Sequence, residues 1–197
     1  MIRCVLFDVG GVLMRLGEAE YRKGVAERMG LAEMPPAYDA FAHQLQRGEV
    51  DEVDVWQEVF GVRVSRGAFD DIFERTFPVN HDMVAFAAEL RQMGLLTAVL
   101  SNTQASHVRV MRRLGFLEGF HRAFMSNEIG ARKPEPAVYR LVSEELGLEP
   151  QSILFIDDIE EYVAAANAFG IRAIRHTGDV AATRARVLSL IEAAQAG

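Results

Sequence analysis

Residues 4–16 read CVLFDVGGVLMRL, an apolar run that ends on one carboxylate, Asp8, and passes into the glycine pair Gly10-Gly11. A short, unbroken apolar run bounded by glycines suits a strand covered on both faces, so residues 2–7 are predicted to form one. Glycine leaves room for backbone to approach a ligand closely. The carboxyl end of this first strand is therefore a candidate site, with Asp8 at its edge.

Working outward, buried strands are expected at residues 95–100, 123–126, 152–156 and 171–174. Helical patterns at 105–114, 135–146, 160–169 and 181–194 alternate with them. This alternation implies right-handed crossovers and an α/β architecture, a Rossmann-like doubly wound parallel sheet. The stretch 16–82 breaks the pattern. It holds no strand signal, only helical patterns at 19–29, 37–45, 52–60 and 68–76, punctuated by Gly30, Pro35-Pro36, Gly48, Gly61 and Pro78. It reads as a helical insertion after the first strand, with residues 1–15 and 83–197 forming the core.

Twenty-one basic and 28 acidic residues give a net charge of −7, with no basic run to track a phosphate backbone, so nucleic acid is not an expected partner. The single cysteine, Cys4, falls inside the first strand and is expected to pack as a small apolar residue. No apolar run approaches the length of a spanning helix and no secretory leader is evident, so no membrane partner and a cytoplasmic location are expected. Only two of the 21 basic residues are lysines, Lys23 and Lys133. In a chain that otherwise uses arginine, a lysine hints that the compact ammonium itself matters. Oligomeric state is left open.

In an open parallel sheet, ligands bind beyond the carboxyl ends of the strands. Asp8 follows the first strand, Ser101-Asn102-Thr103 the second, Arg132-Lys133-Pro134 the third after a short delay, and Asp157-Asp158 the fourth. Taken singly, the acids and hydroxyls read equally well as helix caps, and Lys133 as a solvated loop residue. Together they form a consistent set. Two carboxylates on neighbouring strand ends suit Mg²⁺, which usually keeps several waters and reaches phosphate oxygens. A hydroxyl, backbone N–H groups and a lysine suit the remaining phosphate oxygens, and a carboxylate can act as the nucleophile.

With these residues in place, the chain resembles the haloacid dehalogenase superfamily. LFDVGGVL resembles its first motif, VLSNT the second, ARKPEP the third and ILFIDDIEEYVAAANAFG the fourth. The resemblance implies that Asp8 is nucleophile and metal ligand, that Gly10 offers its carbonyl to Mg²⁺, and that Asp158 is the second metal-binding acid. It further implies that Ser101, with Asn102 beside it, binds the phosphoryl group, that Lys133 neutralises nucleophile and phosphate, and that residues 16–82 form a small helical cap. Two positions depart from the pattern. Gly10 stands where phosphatases of the superfamily usually carry a second aspartate for proton transfer, and Tyr162 stands where Asp or Asn commonly supports the metal shell. The expected function is Mg²⁺-dependent hydrolysis of a small phosphorylated metabolite through an aspartyl-phosphate. The pattern Asp-x-Gly-x-Val is similar to that of sugar-phosphate phosphatases, including ones acting on hexose 1-phosphates. The alternatives are a catalytically weak member that binds phosphorylated ligands or a protein, and a 2-haloacid dehalogenase, whose halide leaves without a proton. Arg15, Gln44, Arg47 and Trp56 are candidates to face the entrance, although Trp56, within an amphipathic pattern, reads first as core.

Overall fold

The structure, a computed structural model, describes residues 1–195. Five strands, β1 (Cys4–Phe7), β2 (Leu96–Ser101), β3 (Arg122–Met125), β4 (Ile153–Asp157) and β5 (Arg172–Arg175), form one sheet in the order β3-β2-β1-β4-β5. Every pairing is parallel, and Cys4 lies between Leu96 and Ile153 in register. The order reverses between β1 and β4, and a crevice at the carboxyl edge is expected there.

Helices α1 (Glu18–Arg28), α2 (Pro36–Asp39), α3 (Ala42–Gln46), α4 (Glu52–Phe60) and α5 (Asp70–Thr76) lie between β1 and α6 (His81–Gln92). The remaining helices are α7 (Ala105–Arg113), α8 (Ser126–Ile129), α9 (Pro136–Leu146), α10 (Glu160–Phe169) and α11 (Val180–Gln195). Local chemistry sets several of the boundaries. Asp51 caps α4 by accepting the Val53 N–H at 2.9 Å, and Gly61 ends that helix in the left-handed region. Pro136 opens α9 where its missing N–H costs nothing, and Gly147 closes it.

The strand period of two sorts the core into two layers. Val5 and Phe7 face a cluster that includes Met83 and Phe86 of α6 and Val187 and Ile191 of α11. Cys4 and Leu6 face Val138, Tyr139 and Val142 of α9 and Ala166 of α10. Cys4 is fully enclosed, and burial pushes its thiol up to about 12, so it packs as an apolar residue.

Two elements differ from expectation. The single helix expected at 37–45 is two short ones, because the Phe41 N–H turns back to the Tyr38 carbonyl in a tighter i to i+3 bond. Helix α6 was not anticipated, although Met83, Phe86, Ala87 and Leu90, all buried, have the spacing of one helical face. Among the described residues no helix is long and apolar enough to cross a membrane.

Candidate active site

Asp8 is the first residue beyond β1, Ser101 the last of β2, Asp157 the last of β4, and Asp158 follows it. Sheet register therefore brings all four to one edge. Lys133 arrives from the loop between α8 and α9 and is completely buried. Its Nζ lies 2.8 Å from Asp8 Oδ1 and 2.6 Å from Asp157 Oδ2. Asp8 Oδ1 also accepts the Val9 N–H at 2.7 Å, and Asp157 Oδ1 accepts the Ile159 N–H at 2.8 Å.

The charges of this cluster offset one another only in part. The Asp8 carboxyl ends raised to about 7: loss of water pushes it up, Lys133 pulls it down and Asp157 pushes it up. Burial pulls Lys133 down, but the two carboxylates outweigh it and its pKa ends above the usual lysine value. Asp158 is raised by burial and then by its neighbour Asp157. One ammonium thus faces three carboxylates, an excess of negative charge that would welcome a cation.

Asn102 holds the lysine loop. Its Oδ1 accepts the Lys133 N–H and its Nδ2 donates to the Lys133 carbonyl, both at 2.8 Å. Expected from the sequence to touch substrate, its amide is occupied by backbone, although the residue does border the cavity described below. Tyr162 completes the support: its hydroxyl accepts from Asn102 Nδ2 at 3.3 Å, and its ring centre lies 5.0 Å from Lys133 Nζ. Thr103 is tied to Ser126 by two hydrogen bonds of 2.9 and 3.1 Å, which fixes the backbone just after Ser101.

The two glycines play different parts. A Cβ on Gly11 would lie 2.4 Å from Cγ and Oδ2 of Asp158, and its φ is +72°, so only glycine lets this loop run against that carboxylate. Gly10 has room: a Cβ there would meet only Leu16 Cδ2, at 3.5 Å. The carboxylates of Asp8, Asp157 and Asp158 each have an oxygen within 4.8 Å of the others. Asp157 is already bound to Lys133 and the Ile159 amide, which leaves Asp8 and Asp158 as the freer pair.

A cavity of about 270 Å³ opens between this edge and the inserted helices. Gly10, Ser101 and Asn102 border it from the sheet, and Tyr21, Phe73, Phe77 and His107 form an aromatic wall. His107 stacks on Phe73 with ring centres 4.1 Å apart, and burial drives its imidazole down to about 3. Of the entrance candidates, Trp56 takes the core position that its pattern favours, and the other three lie elsewhere. Trp56 is buried among Tyr38, Phe60 and Phe69, Arg47 pairs with Glu135, Gln44 is exposed away from the cavity, and Arg15 lines shallower depressions outside it. Gln46 and Gln104 line it instead.

A sequence profile of the haloacid dehalogenase-like hydrolases matches residues 2–170, which takes in every strand end described above except that of β5. The chain belongs to that hydrolase family. Among curated relatives, glyceraldehyde 3-phosphate phosphatase of Methanopyrus kandleri is 30% identical over 96 residues, 48% of this chain and 41% of that protein. (S)-2-haloacid dehalogenase 1 of a Pseudomonas species is 30% identical over 95 residues, 48% of this chain and 42% of the relative. The haloacid dehalogenase-like chain thus spans under half the length of these relatives. In three dimensions it resembles a family enzyme of Bacteroides thetaiotaomicron, crystallised with magnesium and inorganic phosphate. The TM-score is 0.76 at 22% identity, with 90% of this chain and 95% of the other covered.

Proposed function

We propose that this hydrolase is a Mg²⁺-dependent phosphatase of small phosphorylated metabolites, sugar phosphates among them, acting through an aspartyl-phosphate on Asp8. The observation that carries the reading is Lys133, buried and held between Asp8 and Asp157 at the edge where Ser101 and Asp158 also meet. The donor set fits the ion. It is all oxygen, from carboxylates, with Gly11 pressed against Asp158, and hard cations take such ligands. Asp8, Asp158 and the Gly10 carbonyl would hold Mg²⁺, whose chemistry there is to draw charge from phosphate oxygens.

The chain's own residues account for the rest. The Asp8 carboxylate forms a bond to phosphorus as the bond to the leaving oxygen breaks, and water later cleaves the acyl phosphate to give inorganic phosphate and free Asp8. Lys133 holds Asp8 in place and offsets negative charge that grows on the phosphoryl oxygens. Ser101 binds a phosphoryl oxygen, while Asn102 and Tyr162 position Lys133. The helices within 16–82 serve as a cap that excludes water and shapes the leaving-group pocket, over a core of residues 1–15 and 83–197. Because Gly10 moves no proton, the favoured leaving group departs readily, as an anomeric hydroxyl does.

Phosphate release from a panel of phosphate esters, with Mg²⁺ and after chelation, tests this. Turnover that needs Mg²⁺ and disappears in Asp8→Asn is expected. No release from any ester, or full activity in Asp8→Asn, refutes it. Halide release from 2-chloropropionate would favour the dehalogenase reading, which the 30% identity to a haloacid dehalogenase keeps in view.

A further inference from the structure

Three charged side chains line the cavity, and their arrangement bears on what leaves with the phosphate. Glu18 and Arg22 come from α1 and Asp39 from α2. Arg22 is the lining cation, and Asp39 grips it with two bonds, Nη1 to Oδ1 at 2.7 Å and Nη2 to Oδ2 at 3.2 Å. Held end-on in this way, the guanidinium has its charge offset by Asp39 and keeps only its Nε edge for another carboxylate. Glu18 remains, so the three together carry one net negative charge. His107 adds none near neutrality, since its imidazole is held uncharged. The floor and wall beneath are apolar, from Met14, Leu16, Phe73, Phe77 and Met111, with Tyr38, Gln46 and Gln104 as neutral polar neighbours.

We infer that the pocket selects phosphate esters whose leaving group is an uncharged, hydroxyl-bearing alcohol and rejects those bearing a carboxylate or second phosphate, with Asp39 setting the choice by masking Arg22. This rests on the phosphatase reading above. A second anion would enter a pocket of like charge and meet an Arg22 whose charge Asp39 already offsets. A neutral alcohol meets no such repulsion. It can lay its C–H face on the aromatic wall and turn hydroxyls to Gln46, Gln104 and Tyr38. The Arg22–Asp39 pair is partly exposed, with side chains 32% and 56% accessible, and such pairs add little to stability, so its variants should fold.

Matched esters that differ only in the second group test it: 2-hydroxyethyl phosphate against phosphoglycolate, and glycerol 3-phosphate against 3-phosphoglycerate. With Mg²⁺ present, the wild type is expected to favour the hydroxyl member of each pair by about tenfold in kcat/KM, on the scale of one uncompensated charge near a surface. Asp39→Asn frees Arg22 and should move the ratio about tenfold toward the carboxylate member, mainly through KM. Adding Arg22→Gln to that variant should cancel the gain, and Glu18→Gln alone should move the ratio in the same direction as Asp39→Asn. A wild-type preference for the carboxylate esters, or an unchanged ratio in both Asp39→Asn and Glu18→Gln, overturns the inference. If no ester is turned over, the same ratios are read as dissociation constants by calorimetry on the wild type and variants. The phosphatase reading then fails, while the charge selection is still decided.

Discussion

Placing an acid at position 10 separates a pocket that lacks a proton donor from one that has found it elsewhere. In Gly10→Asp the new Cβ meets only Leu16 Cδ2 at 3.5 Å, an ordinary contact, and Gly10 is not among the glycines with positive φ. The substitution should shift stability by no more than about 1 kcal/mol. Gly11→Ala, one residue on, meets Asp158 at 2.4 Å with φ at +72°, and should lose both activity and Mg²⁺ affinity. A positioned general acid contributes roughly 10²- to 10⁴-fold. Alkyl phosphates with poor leaving groups should therefore gain about 100-fold or more in Gly10→Asp, whereas p-nitrophenyl phosphate, whose phenolate leaves without a proton, should change by less than about 3-fold. The assay is phosphate release across aryl and alkyl esters, with log kcat/KM plotted against leaving-group pKa. A steep dependence in the wild type that flattens in Gly10→Asp is expected. A wild-type plot already flat, with no change in the variant, would refute the reasoning and place a working acid elsewhere in the pocket.

Asp157→Asn removes one of two anions around a buried ammonium that keeps the other, and should lower stability by about 2 kcal/mol, read from urea denaturation; an unchanged midpoint would show that Asp157 does not anchor Lys133. His107 is depressed in the folded state to about 3 from 6.5, so the unfolded chain takes up its proton first as pH falls, and the stability this gives above pH 6.5 is lost toward pH 3. Between pH 7 and pH 5 the loss is about 2 kcal/mol, and His107→Phe should show that much less acid sensitivity in paired urea curves. Asp70 on α5 accepts from Arg109 at 2.6 Å and from Arg113 at 3.2 Å, both on α7, so Asp70→Asn should cost about 1–2 kcal/mol, less at high salt, by the same measurement.

The sheet was legible because each buried strand is a short apolar run ending in a polar residue, and that same ending marked Asp8, Ser101 and Asp157-Asp158. Lys133 was legible through its rarity beside arginine. Helix α6 carried a readable signal in Met83, Phe86, Ala87 and Leu90, hidden by its position across residue 82, where the insertion was expected to end and the core to resume. The cavity lining was not legible. Which face of α1 turns inward depends on packing between elements far apart in sequence, α1 on α5 and α5 on α7, where Asp70 meets Arg109 from 39 residues away. Trp56 was legible by contrast, since an aromatic residue on an amphipathic helix is more often core than pocket wall, and it is fully buried.

The departures at positions 10 and 162 look alike in the sequence, each replacing an acid of the family pattern, yet the structure separates them. Tyr162 has gained partners: its hydroxyl meets Asn102, its ring lies against Lys133, and its carbonyl accepts the Tyr139 hydroxyl at 3.0 Å. An aspartate there would add a fourth carboxylate to a cluster with one ammonium, so the tyrosine lowers the negative charge that Lys133 must offset while holding the lysine in line. Position 162 thus moves from carrying charge to orienting the lysine. At position 10 no side chain stands in place of the acid. The space for a side chain is open, bordered by Leu16, and what remains is backbone. On the proposed reading, a chain that keeps a buried lysine between two aspartates and leaves the adjacent proton-transfer position empty has kept what a nucleophilic attack on phosphorus needs. It has given up only what a reluctant leaving group needs, so the chemistry of that leaving group decides whether the missing acid slows the reaction.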